Sequence, residues 1–382
     1  MMRHTALTVL AALALASCSH THKVYVTNDA DAAYDGQLAE MPLADVRAAL
    51  GADGPFVLLD SSGAQVPYQI TYDSLVVFPV TVAAASTAEY TLEPGQPVAP
   101  DTVACGALYP RRKDDLTWEN DRSAFRAYGP ALQATGERAF GYDIWTKSVG
   151  YPVVAKRYSD AFAKIANLHE DNGNGMDQYG VGPTLGAGTA ALLDSAGAIV
   201  YPWCFDSYEI LDNGPLRFTV RLTYPAAAYG TDSVRETRLI SLDKGEYLNR
   251  TTVSFDGLTA PAPLAPGIVV HRQNPDGFEL SAADSYMAYA DPTQNPEGDN
   301  GIIYVGIVAP EADSLLMQPL ADGEADAAAH LLARSTYRPA DSYTYYWGSG
   351  WSKGSMPDWQ TWKQYLTAFG KRIDSPLKIQ IK

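Results

Sequence analysis

Cysteine is scarce in this chain, with 3 among 382 residues, at Cys18, Cys105 and Cys204. Neither Cys105 nor Cys204 lies in a recognisable nucleophile or metal-binding motif, which argues against a catalytic cysteine and against a thiolate zinc site. An oxidising compartment would allow these two thiols to pair, but the sequence leaves that disulfide open.

Positive charge is also in short supply, with 28 Lys and Arg against 44 Asp and Glu and a net charge of −16. This balance argues against binding to nucleic acid or to anionic lipid head groups through a general basic surface. Individual Arg or Lys residues could still serve a local site for an anion. We therefore expect no nucleic-acid partner.

Long apolar runs are missing, and the run that stands out covers residues 6–16, just after Arg3. It is too short to span a bilayer and has the length of a signal-peptide core. It ends in Leu15-Ala16-Ser17-Cys18, where small residues admit a signal peptidase and the thiol can accept a lipid. We predict a lipoprotein signal peptide over 1–17 and a lipidated tether over 18–22, with an ordinary secretory peptide as the alternative.

Ser19, not an aspartate, follows the predicted lipidation site. In Gram-negative bacteria this usually permits transfer to the outer membrane, so we expect a body that faces the periplasm or the cell surface. No later run approaches the ~20 residues of a spanning helix. The expected contact with the membrane is therefore the lipid alone.

What the chain does have is tyrosine, glycine and proline, at 24, 31 and 25 residues, which together favour an all-β body rich in turns. Short β-type runs predict a small N-terminal β-sandwich over 23–100, with one helix over 41–50. Longer strands of alternating polarity, such as 216–224, predict a large antiparallel supersandwich over 101–382. Apolar residues at helical spacing predict a C-terminal helix over 357–372.

The stretch 118–130 concentrates acids, an amide, arginines and aromatic rings. A strand over 123–128 would place Arg122 and Arg126 on one face, where two guanidinium groups could hold a carboxylate. The other candidates here are Glu119 as a catalytic acid and Trp118 and Asn120 as substrate contacts. The alternative is an internal lattice of ion pairs between Glu119, Asp121 and the two arginines.

The polar, glycine-rich loop 169–188 is a second candidate site. His169 and Tyr179 are candidate acid and base groups, because histidine titrates near neutrality and a desolvated phenol beside an arginine can lose its proton. Asp177 is a candidate substrate contact. His169 could instead be a hydrogen-bonded loop residue, and His271 either faces the same cleft or caps a sheet edge.

The same loop places Glu170, Asn172 and Asn174 at the first, third and fifth positions of an EF-hand-like spacing. The twelfth position is Val181, which lacks the bidentate carboxylate of such sites. We therefore expect no metal or other cofactor, and calcium would need ligands from elsewhere in the chain.

Trp347, Trp351 and Lys353 near the C-terminus are typical of a sugar-stacking platform, since flat rings cover the apolar face of a pyranose. The Gly348-Ser349-Gly350 interruption predicts that at least one of these tryptophans lies on a loop. Core packing is the commoner role of such residues.

Several of these motifs, together with the lipidation signal, resemble a bacterial lipoprotein family known as domain of unknown function 4861. The matching segments are Trp118-Glu119-Asn120-Asp121-Arg122 with Phe125-Arg126, Asp177-Gln178-Tyr179-Gly180-Val181-Gly182 and Asp212-Asn213-Gly214-Pro215-Leu216-Arg217. Members look like neighbours of enzymes that degrade pectin and other uronate-containing glycans, which implies a carbohydrate role. The two-sandwich order is also similar to exo-acting rhamnogalacturonan lyases and to galactose-mutarotase-like supersandwich proteins.

The leading hypothesis is an envelope-anchored enzyme that cleaves acidic, pectin-type oligosaccharides by β-elimination. Arg122 and Arg126 would neutralise the uronate carboxylate, and His169 and Tyr179 would serve as base and acid, with His271 in reserve. A glycoside hydrolase is the first rival and would need two carboxylates, such as Glu119 with Asp121 or Asp177. The second rival is a non-catalytic glycan-binding lipoprotein, and the third is a structural interaction protein.

Overall fold

The computed structural model describes residues 21–320 and 326–382. The predicted signal peptide, Cys18 and most of the tether lie outside these ranges. Within them no helix is long and apolar enough to cross a membrane. The all-β prediction, with a C-terminal helix, is confirmed.

Two small antiparallel sheets form an N-terminal sandwich. Its interior contains Val24, Leu58, Phe78 and Leu92. Helix α1 follows β2 and buries Val46 and Leu50 in the same interior. The strands are β1 (His22–Asn28), β2 (Tyr34–Pro42), β3 (Phe56–Leu59), β4 (Gln65–Val66), β5 (Gln69–Ile70), β6 (Leu75–Val82) and β7 (Ser86–Pro94), and α1 is Leu43–Leu50.

A four-stranded sheet comes next and packs on the larger sandwich through Trp118 and Phe125. It consists of β8 (Cys105–Tyr109), β9 (Asp115–Glu119), β10 (Ala124–Ala127) and β11 (Asp143–Trp145). Two short helices border it, α2 (Pro130–Gln133) and α3 (Val154–Phe162).

The larger sandwich contains two antiparallel sheets that share one core, in which Phe218, Ile268, Leu331 and Trp347 are buried. Its strands are β12 (Ala187–Leu193), β13 (Ile199–Val200), β14 (Ser207–Asn213), β15 (Arg217–Thr223), β16 (Ala227–Tyr229), β17 (Asp232–Asp243), β18 (Leu248–Asp256), β19 (Ala262–His271), β20 (Phe278–Ser281), β21 (Tyr286–Asp291), β22 (Ile303–Val308), β23 (Ser314–Pro319), β24 (Ala327–Tyr337) and β25 (Tyr343–Trp351). One sheet has the order β13-β12-β19-β24-β23, and the other runs β14-β15-β17-β18-β25-β22-β21-β20.

The C-terminal helix α4 (Trp359–Asp374) begins at an N-cap, because Asp358 accepts a hydrogen bond from the Thr361 backbone N–H at 2.8 Å. Its apolar side buries Trp362 and Leu366 against β22, where Gly306 leaves room for both side chains. The predicted helix starts two residues early and ends two residues early relative to the observed one.

The last strand, β26 (Lys378–Ile381), does not join the larger sandwich but pairs antiparallel with β1. Ile379 and Ile381 pack against the N-terminal core. The Asp212–Arg217 segment also joins the two parts, since Gln69 Oε1 accepts the Leu216 and Arg217 N–H groups, each at 2.8 Å. This motif is therefore part of the junction between the sandwiches.

Candidate functional site

A polar cavity of about 290 Å³ lies at one end of the larger sandwich, where strands from both sheets terminate against the loop that precedes β12. Strand β19 ends at His271, β21 ends at Asp291, and β24 begins just after Asp326. The residues that line this His271 cavity are Gly180, Val181, Gly182, Thr184, His271, Gln273, Thr293, Gln294, Asp326 and Ala327.

His271 contacts hydrogen-bond acceptors through both ring nitrogens. Nδ1 lies 2.5 Å from Asp291 Oδ2, and Nε2 lies 2.9 Å from the Gly180 carbonyl oxygen. Donation from both nitrogens requires the imidazolium form. Burial opposes that charge, but the Asp291 carboxylate and the two hydrogen bonds outweigh it and raise the pKa of His271.

Asp291 also fixes the chain beyond it, because its Oδ1 accepts the Thr293 N–H at 2.8 Å. Thr293 has a φ of 71°, in the left-handed region that a β-branched residue rarely adopts. Its hydroxyl is buried and has no hydrogen-bond partner among the described residues. Strain of this kind costs about 1 to 3 kcal/mol and clusters at functional sites.

The rest of the cavity wall supplies groups that suit hydroxyl ligands. Gln273 Nε2 donates to Asp326 Oδ2 at 2.6 Å, and Gln294 Nε2 donates to the Tyr179 carbonyl at 3.1 Å. Amides and a carboxylate around a small concave site provide both donors and acceptors for a polar ligand.

Of the predicted catalytic residues, Tyr179 and His271 are brought together, with ring centroids 5.9 Å apart. Tyr179 is buried, however, and its hydroxyl has no hydrogen-bond partner in the part of the chain that the structure describes. Burial, with Asp291 and Tyr289 nearby, raises the pKa of Tyr179 well above its usual value. A raised pKa disfavours the base role for this phenol, and its role as the acid stays a prediction.

His169 is exposed on the far end of the same loop and does not line the His271 cavity. Its Nδ1 lies 2.6 Å from the Asp177 carbonyl oxygen, and its own carbonyl accepts from Gln178 Nε2 at 2.6 Å. These contacts match the alternative of a hydrogen-bonded loop histidine.

Arg126 is buried inside a cluster of carboxylates. It contacts Asp115 at 3.2 Å and Asp177 at 3.3 Å and is also paired with Asp143. Burial raises the pKa of Asp143 to about 7, against the opposing charge of Arg126 and with the support of Asp177. An ion-pair lattice, the alternative for this stretch, is present, but with other partners than expected: Arg126 pairs with none of the predicted acids, and Glu119 pairs with Lys147.

Arg122 lies before β10 and not within it, so the two arginines do not share a face of that strand. Its Nε is 3.7 Å from Asp121 Oδ2, and its guanidinium lies over the Tyr247 ring at 5.5 Å. Since Arg126 is engaged by three carboxylates of its own chain, the predicted two-arginine clamp is not formed.

Glu119 and Asn120 hold the backbone in place. Glu119 accepts from Lys147 Nζ at 2.7 Å and from the Val154 N–H at 2.8 Å, where the N-terminus of α3 favours an anion. Asn120 is fully buried and donates to the Asp243 and Glu246 carbonyls. Neither side chain reaches the His271 cavity.

The predicted sugar platform is a set of core and strand residues. Trp118 and Trp347 are fully buried, and the Trp347 ring stacks on Tyr142 at 4.2 Å. Trp351 is also buried, and both Trp347 and Trp351 lie within β25, so the predicted loop is absent. Lys353 lies just beyond that strand and contacts Asp299 Oδ2 at 3.0 Å.

Cys105 and Cys204 are both free thiols, so the disulfide that the sequence left open is not formed. No group of His, Cys, Asp and Glu side chains within the described ranges is arranged to hold a metal ion. At the EF-hand-like spacing, the Arg157 guanidinium bonds Asn174 Oδ1 at 2.9 Å, so a cation already contacts that oxygen.

Sequence reasoning missed Asp291, Thr293, Gln273, Gln294 and Asp326. The Asp291-Pro292 pair at the end of an apolar run is a turn signal that could have drawn attention to this strand end. Asp326 carries no local signal, because only the pairing of β19 with β24 brings it beside His271.

Comparison with known proteins identifies relatives of this chain. "Uncharacterized protein P7" of Formosa agariphila is 27% identical over 291 residues, which cover 74% of this chain and 71% of the relative. A protein in the glycosyl hydrolase family 38 from Enterococcus faecalis aligns with 95% of this chain at a TM-score of 0.50 and 9% identity. An α-mannosidase from Enterococcus faecalis V583 aligns over the same share at a TM-score of 0.47 and 10% identity.

The chain spans about half the length of these solved structures, 47% and 46%. At such low identity the likeness to the glycosyl hydrolase family 38 protein concerns the fold alone. Residues 26–379 match the family described as a domain of unknown function, DUF4861, and the chain therefore belongs to that family.

Proposed function

We propose that this protein is a carbohydrate-active enzyme that binds an acidic oligosaccharide in the His271 cavity and cleaves it by β-elimination. The fold likeness to a protein of glycosyl hydrolase family 38 supports a carbohydrate role, as does the amide-rich cavity wall. The acidic substrate and the elimination reaction are what the family resemblance implies, and the residues of the cavity are matched to them below.

The observation that carries the proposal is the pair of acceptors around His271. They favour the imidazolium form of His271 at the wall of a small polar cavity. Asp291 compensates that charge, so a ligand carboxylate would be recognised by a ring N–H at a fixed position and not by a net positive field. A uronate carboxylate is the anion that a pectin-type oligosaccharide offers.

β-Elimination also needs a base. Neutralisation of the carboxylate by His271 would acidify the adjacent carbon, and the Asp326 carboxylate on the same wall would remove its proton. The electron pair of that C–H bond forms the new double bond and expels the glycosidic oxygen, which takes the proton that Asp326 has just removed. In this scheme His271 and Asp326 take the roles that the sequence motifs suggested for Arg122, Arg126, His169 and Tyr179.

Hydrolysis by paired carboxylates has less support from the geometry. Among the described residues that line the His271 cavity, Asp326 is the sole carboxylate. Asp291 is fully buried and bound to His271 and Thr293. Glu119 and Asp177 are engaged by Lys147 and Arg126, away from the cavity. The two carboxyl groups of a glycoside hydrolase must flank the same glycosidic bond.

The proposal extends to location, with Cys18 as a lipidated anchor that holds the protein at the cell envelope. Strand β1 begins at His22, so at most a few residues would separate the folded body from the lipid. Growth with a radiolabelled fatty acid tests this: label should enter the protein and be lost in Cys18→Ser. An unlabelled wild-type protein would refute the anchor.

Turnover is tested by incubating the purified protein with saturated and unsaturated pectic oligosaccharides. The ultraviolet absorbance of the new double bond and chromatography of the products report elimination. We expect His271→Gln to lose turnover and the matched variant His169→Gln to retain it. Binding without turnover would refute the enzyme, and new reducing ends without a double bond would favour hydrolysis.

A further inference from the structure

A second cavity, of about 400 Å³, lies on the side of the larger sandwich, between the segment after β13 and the segment that joins β15 to β16. It shares no lining residue with the His271 cavity. Five of its sixteen lining residues are aromatic and most of the others are aliphatic, while Glu236 and Gln133 supply a carboxylate and an amide. The aromatic lining residues of this Trp203 cavity are Tyr201, Trp203, Tyr224, Tyr229 and Phe255.

Trp203 is the exposed ring of this cavity. Its relative exposure is 47%, which is high for a tryptophan in a chain whose other indoles named above are buried. Phe140 contacts it edge-to-face at 5.8 Å and holds one side of the ring. A fixed, solvent-accessible indole face is suited to stack on the apolar face of a ring ligand.

Glu236 and Arg238 occupy the inward face of β17, where alternation places Val234, Ile240 and Leu242 as the other members. Both charged side chains are buried, Arg238 completely. Replacing such a pair by apolar residues is often neutral or stabilising, so stability alone does not account for it. Charged residues that break a strand's polarity pattern are expected at functional sites.

Arg238 serves to hold the Glu236 carboxylate at the cavity wall. Its Nε donates to Glu236 Oε1 at 2.5 Å, and another of its nitrogens donates to the Tyr142 hydroxyl at 3.1 Å. The Tyr224 ring, which also lines the cavity, lies over the guanidinium at 4.1 Å. The carboxylate is therefore fixed in orientation by a partner that is itself held on several sides.

The net charge of the Glu236–Arg238 pair indicates which class of ligand the Trp203 cavity would bind. Arg238 compensates Glu236 from within the core, so the cavity wall carries no net charge that would select an ammonium ion or a second carboxylate. What remains is a fixed acceptor for hydroxyl groups beside a flat aromatic surface. That combination suits an uncharged sugar ring.

We infer that the Trp203 cavity is a second carbohydrate-binding site, specific for a neutral pyranose. This second site is separate from the proposed elimination site, and the inference does not depend on the elimination reaction. An elongated or branched glycan could engage both cavities, with its acidic unit at His271 and a neutral unit at Trp203.

The test is a titration of the full protein with the methyl glycosides of glucose, galactose, mannose and rhamnose, followed by calorimetry and by ligand-observed NMR. We expect at least one of these glycosides to bind. Trp203→Ala should weaken that binding by about ten-fold or more, since one stacked ring is lost. Trp203→Phe should restore part of it, and Tyr151→Ala, which removes another exposed ring, should change nothing.

Trp203 is exposed, so its substitution does not threaten the fold, whereas Glu236→Gln leaves Arg238 without its charge partner and is a secondary variant. Binding that is unchanged in Trp203→Ala, or the absence of binding by all four glycosides, would overturn the inference. So would preferential binding of methyl glucosaminide, which would mark a cation site. His271→Gln should keep neutral-sugar binding, so the two proposals can fail independently.

Discussion

The Asp291 carboxylate bridges His271 and Thr293: one oxygen lies 2.5 Å from His271 Nδ1 and the other accepts the Thr293 N–H at 2.8 Å. A single buried side chain thus orients the charged ring and holds a strained residue beside it. Removing the charge of this carboxylate should therefore affect the protonation of His271 and the conformation of Thr293 together.

Asp291→Asn tests that arrangement. Loss of the carboxylate removes the main group that favours the imidazolium, so we expect the pKa of His271 to fall, as measured by NMR titration of its ring protons. If His271 neutralises the substrate, turnover should fall by about 100-fold or more. Asp299→Asn, at a highly exposed carboxylate, is the control. An unchanged His271 pKa would contradict this arrangement.

Stability should depend on pH through Asp143. Its pKa rises from 3.8 to about 7 in the folded state, so between these values the native protein retains a proton that the unfolded chain has lost. The free energy of unfolding from this group is therefore highest below about pH 4 and declines as pH rises towards 7.

Asp143→Asn should flatten this part of the profile, as measured by urea unfolding at a series of pH values. Asp313→Asn, which removes an exposed carboxylate beside another sheet, provides the comparison. A decline of equal steepness in Asp143→Asn and the wild type would rule out Asp143 as its source.

The two arginines predicted to act together should behave differently. Arg126→Met leaves Asp115, Asp143 and Asp177 without their shared cation, and we expect a loss of about 3 to 5 kcal/mol in the free energy of unfolding. Arg122→Ala removes a partly exposed contact and should cost about 1 kcal/mol or less. Denaturant unfolding measures the free energy of unfolding of both variants. Equal losses would contradict the buried environment of Arg126 and the partly exposed one of Arg122.

Trp347 should behave as a core residue and not as a sugar platform. Trp347→Ala is expected to cost about 3 to 5 kcal/mol, because it opens a cavity beside Tyr142 and Phe125. Lys353→Ala, at the more accessible end of the same predicted platform, should be close to neutral. Thermal unfolding compares them. If the Trp347→Ala protein were stable and bound glycan more weakly, the result would support the predicted sugar-stacking platform instead.

Local patterns in the sequence predicted the local structure well. Alternation over 216–224 corresponds to β15 (Arg217–Thr223), and helical spacing corresponds to α4, because both depend on neighbours a few residues apart. The site was harder to predict. His271 acquires its surroundings from Asp291 and Asp326, which β21 and β24 bring to the same end of the sandwich.

Predictions from residue type alone also failed where the burial of a side chain determines its role. Trp118, Trp347 and Trp351 suggested a binding surface and are buried, whereas Trp203 is exposed on a cavity and was not singled out. Arg126 suggested a substrate clamp and is neutralised by its own chain. The faces of these residues are set by long-range packing, which a single sequence does not encode in any short window.

The pairing of β1 with β26 has a consequence for the order in which the molecule matures. Val24 pairs with Ile381, so the N-terminal sandwich cannot complete its sheet until the chain has been made as far as that isoleucine. Contacts of such long sequence separation form late and slow the folding rate. A polypeptide that crosses a membrane amino end first would keep the edge of β1 unpaired throughout its passage, and the arrival of the final strand would end that exposure.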